Sequence, residues 1–111
     1  MKKFLLLIAV FVLFFNTANV SFAESRMEST NRFVSFGKES GLIGKISVDE
    51  VAIYVDEGLW DLLNIDQKSQ AASVYAEYFK LRYKHNWVFI KSYYSGRKIG
   101  KYDQAWGYKN Y

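Results

Sequence analysis

One stretch near the end of the sequence combines aromatic rings with positive charges at the spacing of a β-hairpin. The segment Trp87–Tyr94 is rich in aromatic and β-branched residues, which favours a strand, and Ser95-Gly96 is a two-residue turn that sends the chain back along residues 97–102. Because side chains alternate between the faces of a strand, one face carries rings and ammonium groups if Val88 and Ile90 point to the core. The residues predicted to form a binding surface there are Trp87, Phe89, Lys91, Tyr93, Lys98, Lys101 and Tyr102.

Such a surface suits a partner with negative charge. Across the two-residue turn we expect Tyr93 to lie opposite Lys98 and Phe89 opposite Tyr102. Stacked rings and cations are typical of proteins that bind single-stranded nucleic acid in the cytoplasm, whereas outside it we expect an anionic polysaccharide, a lipid head group or an acidic protein. In the alternative interpretation, the rings and lysine stems only shield a second apolar face of the sheet.

No other group of residues has the spacing of a catalytic or metal centre. His85, the only histidine, follows a predicted helix and is interpreted as a cation at its C-terminus. The absence of cysteine excludes thiolate catalysis and cysteine-based zinc sites. The acidic residues that could suggest calcium lack the alternating ligands and central glycine of a calcium loop; they are Asp49, Glu50, Asp56, Glu57 and Asp61.

We therefore expect a non-enzymatic protein, with no catalytic residue, no cofactor and no metal. The alternative is a small hydrolase that uses a pair of Asp or Glu carboxylates, because such a pair is assembled only in three dimensions. A structural role through self-association is the third possibility.

The chain opens with the features of a secretory signal peptide. Lys2 and Lys3 precede twelve residues without a polar side chain, Phe4–Phe15, and Ser21 and Ala23 are small residues at the positions that signal peptidase reads. We predict cleavage after Ala23, so that residues 1–23 are removed, the protein is periplasmic or extracellular, and it meets the membrane only during export. The alternative is an uncleaved anchor, but a helix of this length reaches about 18 Å, well short of a hydrocarbon core of about 30 Å.

The elements that must position the hairpin belong to one predicted α+β domain at residues 41–111. Residues 24–40 are polar with scattered apolar side chains, and we interpret them as a linker or a loose N-terminal segment. Two β-rich segments at 42–47 and 51–55 are expected to form a first hairpin or, in the alternative, one long bent strand. The tail at 104–111 either adds a short strand or packs an aromatic ring on the sheet. The predicted order is ββ-α-ββ, a small antiparallel sheet covered on one face by one long helix.

Two helices are predicted between the hairpins. Asp56 is the expected N-cap of a short helix over residues 57–63. Asn64 and Gln67 have the spacing of a capping box for a longer helix, from about residue 65 to residue 84. One face of that helix is apolar at three- and four-residue steps, through Ala71, Val74, Tyr75, Tyr78 and Leu81.

The two halves of the predicted mature chain carry opposite charge. Residues 24–66 contain nine acidic and four basic side chains, a net charge of −5. Residues 67–111 contain nine basic and two acidic side chains, a net charge of +7. Either the halves neutralise each other in the folded domain, or the second half presents a basic surface to an anionic partner.

The order of several short segments resembles a group of small exported bacterial proteins that has no established activity. The segments are GLIGKI at 41–46, AIYVDEGLW at 52–60, NIDQK at 64–68, YAEY at 75–78, YSGRKIGKY at 94–102 and WGYK at 106–109. The resemblance spans Gly41 to Lys109 and supports the domain boundary without implying a reaction. The expectation is thus an exported binding or interaction domain of the cell envelope, in a narrower version an inhibitor or accessory subunit of an envelope enzyme.

Overall fold

The computed structural model describes residues 23–111, with side chains from residue 26 onward. The predicted signal peptide, apart from its last residue, therefore lies outside the described residues. The helices and strands, in chain order, are α1 (Ala23–Glu39), β1 (Ile43–Ser47), β2 (Ala52–Val55), α2 (Glu57–Asp61), α3 (Ile65–Tyr83), β3 (Trp87–Ser92), β4 (Lys98–Asp103) and β5 (Gly107–Asn110).

The strands form one mixed sheet in the order β1-β2-β3-β4-β5. Neighbouring strands are antiparallel except for β2 and β3, which are parallel. A parallel pair needs a connection that carries the chain back to its starting end, and α2 with α3 provides it. The α+β class is confirmed. The antiparallel ββ-α-ββ sheet under one long helix is corrected to a mixed five-stranded sheet with three helices in the described part of the chain.

The segment 24–40, expected to be a linker or loose, is helical and packs into the core. Thr30, Phe33, Val34 and Gly37 are buried at the three- and four-residue steps of one helix face. A Cβ atom on Gly37 would lie 2.5 Å from Cδ1 of Ile43, so α1 approaches β1 at a point where only glycine leaves room. The sequence pattern does not predict this buried face because only two of its residues are large and apolar.

Local hydrogen bonds define the starts of α2 and α3 as predicted. Asp56 Oδ1 accepts a hydrogen bond from the backbone N–H of Leu59 at 3.0 Å. Asn64 and Gln67 form the reciprocal capping box, with the side chain of each accepting from the backbone N–H of the other. α3 ends at Tyr83 and is capped by Lys84, which adopts a left-handed conformation with φ of 64°.

The core lies between the sheet and the helices α1 and α3, which contact it on one face. Its largest fully buried side chains are Trp60, Tyr75, Phe79, Leu42, Ile53, Ile90, Val55 and Val88. The Tyr75 hydroxyl is buried and has no hydrogen-bond partner among the described residues, and burial raises the pKa of this phenol. The second face of the sheet, away from this core, carries the polar side chains described next.

Candidate functional site

Side chains on β3 alternate between the core and a second face of the sheet. Val88, Ile90 and Ser92 are almost completely buried, whereas the intervening residues Trp87, Phe89 and Lys91 are partly exposed. The alternation predicted for this strand is therefore confirmed. We use the name open face for the second side of the sheet, whose central residues are Lys45, Tyr54, Phe89, Lys91, Lys98, Lys101 and Lys109.

A first row of residues crosses four strands of the open face. Lys45 on β1 pairs with Tyr54 on β2, which in turn pairs with Lys91 on β3. Lys91 pairs with Lys98 on β4, so three lysines and one tyrosine stand side by side. Neighbouring strands lie about 4.8 Å apart, which makes this row about 14 Å long.

A second row is centred on Phe89. This residue pairs with Ala52 on β2 and with Lys101 on β4, and Lys101 pairs with Lys109 on the edge strand β5. The Nζ atom of Lys98 lies 4.4 Å from the centre of the Phe89 ring, and the Nζ atom of Lys101 lies 5.4 Å from it. Both distances are within the range of cation–π attraction, so the Phe89 ring attracts two ammonium groups.

The other ring of the face, Tyr54, is also close to two lysines. The Nζ atoms of Lys45 and Lys91 lie 4.7 and 5.6 Å from its centre. Its hydroxyl donates a hydrogen bond of 2.5 Å to Oε1 of Glu50, an atom that also accepts one of 2.7 Å from Lys91 Nζ. The ammonium group of Lys91 and then the Tyr54 hydroxyl lower the pKa of Glu50, and the Glu50 carboxylate raises the pKa of Lys91 and of Tyr54.

The charges on the open face do not cancel. Within the described part of the chain, Lys91 is the one lysine of the face that forms an ion pair, with Glu50. The second carboxylate is Asp103, which pairs with Trp87 at the end of the sheet and accepts a hydrogen bond from the backbone N–H of Ala105 at 2.8 Å. Five lysines against two carboxylates leave the face positive. The lysines without a carboxylate partner are Lys45, Lys98, Lys101 and Lys109.

The structure brings together four of the seven residues predicted for the binding surface, namely Phe89, Lys91, Lys98 and Lys101. Trp87 is half-buried at the far end of β3, where its ring lies 4.8 Å from that of His85. Tyr93 lies beyond the end of β3, is 51% exposed, and packs its ring edge against Tyr94.

Tyr102 lies on the core side of the sheet, and its predicted position on the open face is wrong. It pairs with the buried Val88 and packs against the core. The predicted pairs of Tyr93 with Lys98 and of Phe89 with Tyr102 are also wrong. All of these errors come from the length of the turn and the register of β4. The turn is longer than two residues, since the N–H of Ser92 donates to the carbonyl of Arg97, and the register shifts after Ile90. A shift of one residue moves a side chain to the opposite face.

The contribution of β1, β2 and β5 to the open face was not predicted from the sequence. Lys45 and Tyr54 could have been found from the alternation of β1 and β2, because Ile46 and Ile53 lie on the opposite side. Their position beside β3 has no local signal, since it depends on the parallel pairing of Tyr54 with Lys91 across two helices.

A shallow cavity of about 230 Å³ opens beside β1. It is lined by Gly41, Ile43, Gly44, Asp56, Tyr93 and Tyr94. Asp56 is its single carboxylate. One of its oxygens caps α2, and the other accepts a hydrogen bond of 3.0 Å from the Tyr94 hydroxyl. This cavity therefore offers no pair of carboxylates for hydrolysis.

Among the described residues, no cluster of three His, Asp or Glu side chains could hold a metal ion. None of the helices in this part of the chain has the length and hydrophobicity of a membrane span. Neither a protein family, nor a curated protein sequence, nor a solved structure matches this chain.

Proposed function

We propose that the protein is an exported, non-enzymatic binding domain whose open face holds an extended anionic polysaccharide. The observation that carries the proposal is the row of Lys45, Tyr54, Lys91 and Lys98 across four strands, with Lys101 and Lys109 beside it. A polymer lying across the strands meets several of these cations at once. Neighbouring negative groups on such a polymer can then pair with lysines of adjacent strands.

The number of cations matters more than the strength of any one contact. An exposed ion pair contributes only about 0.2–1 kcal/mol, and salt screens it. Lys45, Lys98, Lys101 and Lys109 have no carboxylate partner among the described residues, so all four are free to pair with a ligand. Acting together they give useful affinity for a polyanion and little affinity for a single small anion.

The rings of the open face support charge recognition more than stacking. Lys98 and Lys101 hold their ammonium groups over Phe89, and Lys45 holds its own over Tyr54. The outer surface therefore presents cations where bare rings would be needed to stack on sugar faces. Restricting the lysines in advance also reduces the entropy that binding must remove from long side chains.

Calorimetric titration of the purified protein with dextran sulfate tests this proposal, with uncharged dextran as the control polymer. We expect binding of dextran sulfate that weakens as salt rises, no binding of dextran, and no new reducing ends on prolonged incubation. Poly-glutamate serves as an acidic polypeptide of similar charge. A clear preference for poly-glutamate over dextran sulfate would replace the polysaccharide by an acidic protein as the partner.

A matched pair of double variants locates the binding surface. Lys98→Gln with Lys101→Gln removes two charges from the open face. Arg32→Gln with Lys38→Gln removes two exposed charges from α1. We expect the first variant to bind dextran sulfate about tenfold more weakly, at about 0.2–1 kcal/mol per contact, and the second to bind as the unchanged protein does. Equal losses in both variants would mean that net charge alone drives binding.

A further inference from the structure

We propose that the turn between β4 and β5, with Trp106 at its tip, inserts into the head-group region of an anionic lipid bilayer. This inference goes beyond the proposed function, because the turn lies at an end of the sheet and the open face lies along its side. The proposed partner is a membrane surface, which the protein binds without spanning it.

The first observation is the exposure of Trp106. Its side chain is 89% exposed, whereas Trp60 is buried and Trp87 is half-buried. A tryptophan gains from burial of its ring and from a hydrogen bond of its indole N–H, and a membrane–water interface supplies both. Gly107 follows directly, with φ of 79°, a conformation that favours glycine in the turn.

The second observation is that hydrogen bonds hold the turn in place. The N–H of Trp106 donates to the carbonyl of Asp103 at 3.2 Å, and the N–H of Ala105 donates to the Asp103 carboxylate at 2.8 Å. The N–H of Gln104 donates to the carbonyl of Asn86 at 3.1 Å, which ties the turn to the residues that follow α3. The ring therefore projects from a fixed support, so little backbone entropy is lost on insertion.

The third observation is the positive charge beside the turn. Lys80 Nζ donates to Gln104 Oε1 at 3.5 Å, and the exposed Lys84 ends the same helix near Asn86. The nearest acidic residue of α3, Glu77, pairs with Arg26 at 3.0 Å. The Asp103 carboxylate at the base of the turn offsets one of the two lysine charges, which leaves a net positive charge there. An aromatic ring flanked by lysines is the pattern that anchors proteins to anionic head groups, and this charge favours a lipid surface over an apolar protein pocket.

Tryptophan fluorescence with lipid vesicles tests the inference on the full protein. With phosphatidylglycerol vesicles we expect a blue-shifted emission and quenching when the lipid chains carry bromine. With phosphatidylcholine vesicles both effects should be weak. Trp106→Ala should reduce partition into phosphatidylglycerol vesicles about tenfold, as expected for the loss of a large buried side chain.

Two control variants separate the tip from other surfaces. Tyr94→Ala removes another aromatic ring, 76% exposed, from the turn that precedes β4, and it should leave partition unchanged. Lys98→Gln with Lys101→Gln weakens the open face and should also leave the emission shift in place. Unchanged partition of Trp106→Ala, or binding of vesicles without a shift in emission, would overturn the inference. Loss of vesicle binding in the lysine variant alone would assign lipid binding to the open face.

Discussion

The ammonium nitrogen of Lys98 lies 4.4 Å from the centre of the Phe89 ring, on the side of the sheet away from the core. Lys101 approaches the same ring at 5.4 Å, and Lys101 is also the residue that pairs with Phe89 across β3 and β4. Phe89 therefore positions two cations. Because Lys98 and Lys101 are held over this ring, this face of the sheet presents regularly spaced positive charge.

Replacing Phe89 by leucine should weaken binding of dextran sulfate without changing the charge of the protein. Leucine keeps most of the apolar contact but has no ring to attract the ammonium groups, each of which gains about 0.5–1 kcal/mol at an exposed site. We expect a loss of about two- to fivefold in affinity, measured by calorimetry. The control is Phe36→Leu on α1, 40% exposed, which should bind normally. If both variants bound equally well, the ring would have no part in placing the lysines.

Replacing Glu50 by glutamine should strengthen binding of the same polymer. The substitution removes a negative charge from the open face and frees Lys91, which is paired with Glu50 at 2.7 Å. A neutral amide still accepts the Tyr54 hydrogen bond, so the fold should be retained. We expect a gain of about two- to fivefold, the equivalent of one exposed charge contact. A weaker complex would show that the Glu50–Lys91 pair itself forms the binding surface.

Glu50 should also make the affinity for dextran sulfate depend on pH. The pKa of Glu50 is lowered below its usual 4.5, chiefly by Lys91, so the carboxylate stays ionised through neutral and mildly acidic pH. Its contribution to stability is fully present above the ordinary value of 4.5 and is lost as the pH falls through the lowered value. Affinity for dextran sulfate, which keeps its charge in acid, should therefore rise only below pH 4.5, and Glu50→Gln should reduce this rise. If the affinity of Glu50→Gln for dextran sulfate rose in acid as much as that of the unchanged protein, other carboxylates would be the cause.

Helix α1 should be essential to the stability of the domain. Phe33 is 3% exposed and its ring lies 5.6 Å from that of Tyr75, so Phe33→Ala opens a cavity in the core. We expect a loss of about 3–5 kcal/mol in the free energy of unfolding, measured by urea denaturation. Phe36→Ala, on the exposed side of the same helix, should cost about 0.5 kcal/mol. Similar small losses in both variants would mean that α1 is only loosely attached.

Tyr75→Phe should stabilise the protein. The Tyr75 hydroxyl is buried and has no hydrogen-bond partner in the part of the chain that the structure describes, so removing it leaves no other group there unsatisfied. An unsatisfied buried polar group costs about 1–3 kcal/mol, and we expect the free energy of unfolding to rise by about 1 kcal/mol in urea denaturation. A variant less stable than the original by this amount would reveal a partner for the hydroxyl, such as a buried water molecule.

The features that the sequence predicted correctly are those encoded within a few residues. Asp56 caps α2, and Asn64 with Gln67 caps α3, because each bond joins residues three apart. The alternation of β3 is equally local. The signal peptide, the place of export and the resemblance to exported proteins stay predictions, since they concern residues or properties outside the described structure.

The features that the sequence did not predict depend on distant contacts or on single-residue shifts. Helix α1 was missed because Thr30 and Gly37 complete its buried face, and neither is a strongly apolar residue. Tyr102 was placed on the wrong side because a longer turn changed the register of β4. Lys45 and Tyr54 were missed because the pairing of Tyr54 with Lys91 joins strands on either side of α2 and α3.

The most direct test of the central proposal is a map of amide and lysine NMR shifts during titration with a short dextran sulfate. We expect the largest changes to join residues from different strands into one surface, through Lys45, Tyr54, Lys98, Lys101 and Lys109. Residues on the exposed side of α1 should change little. Changes confined to the cavity around Asp56 and Tyr94, or spread evenly over all lysines, would contradict it.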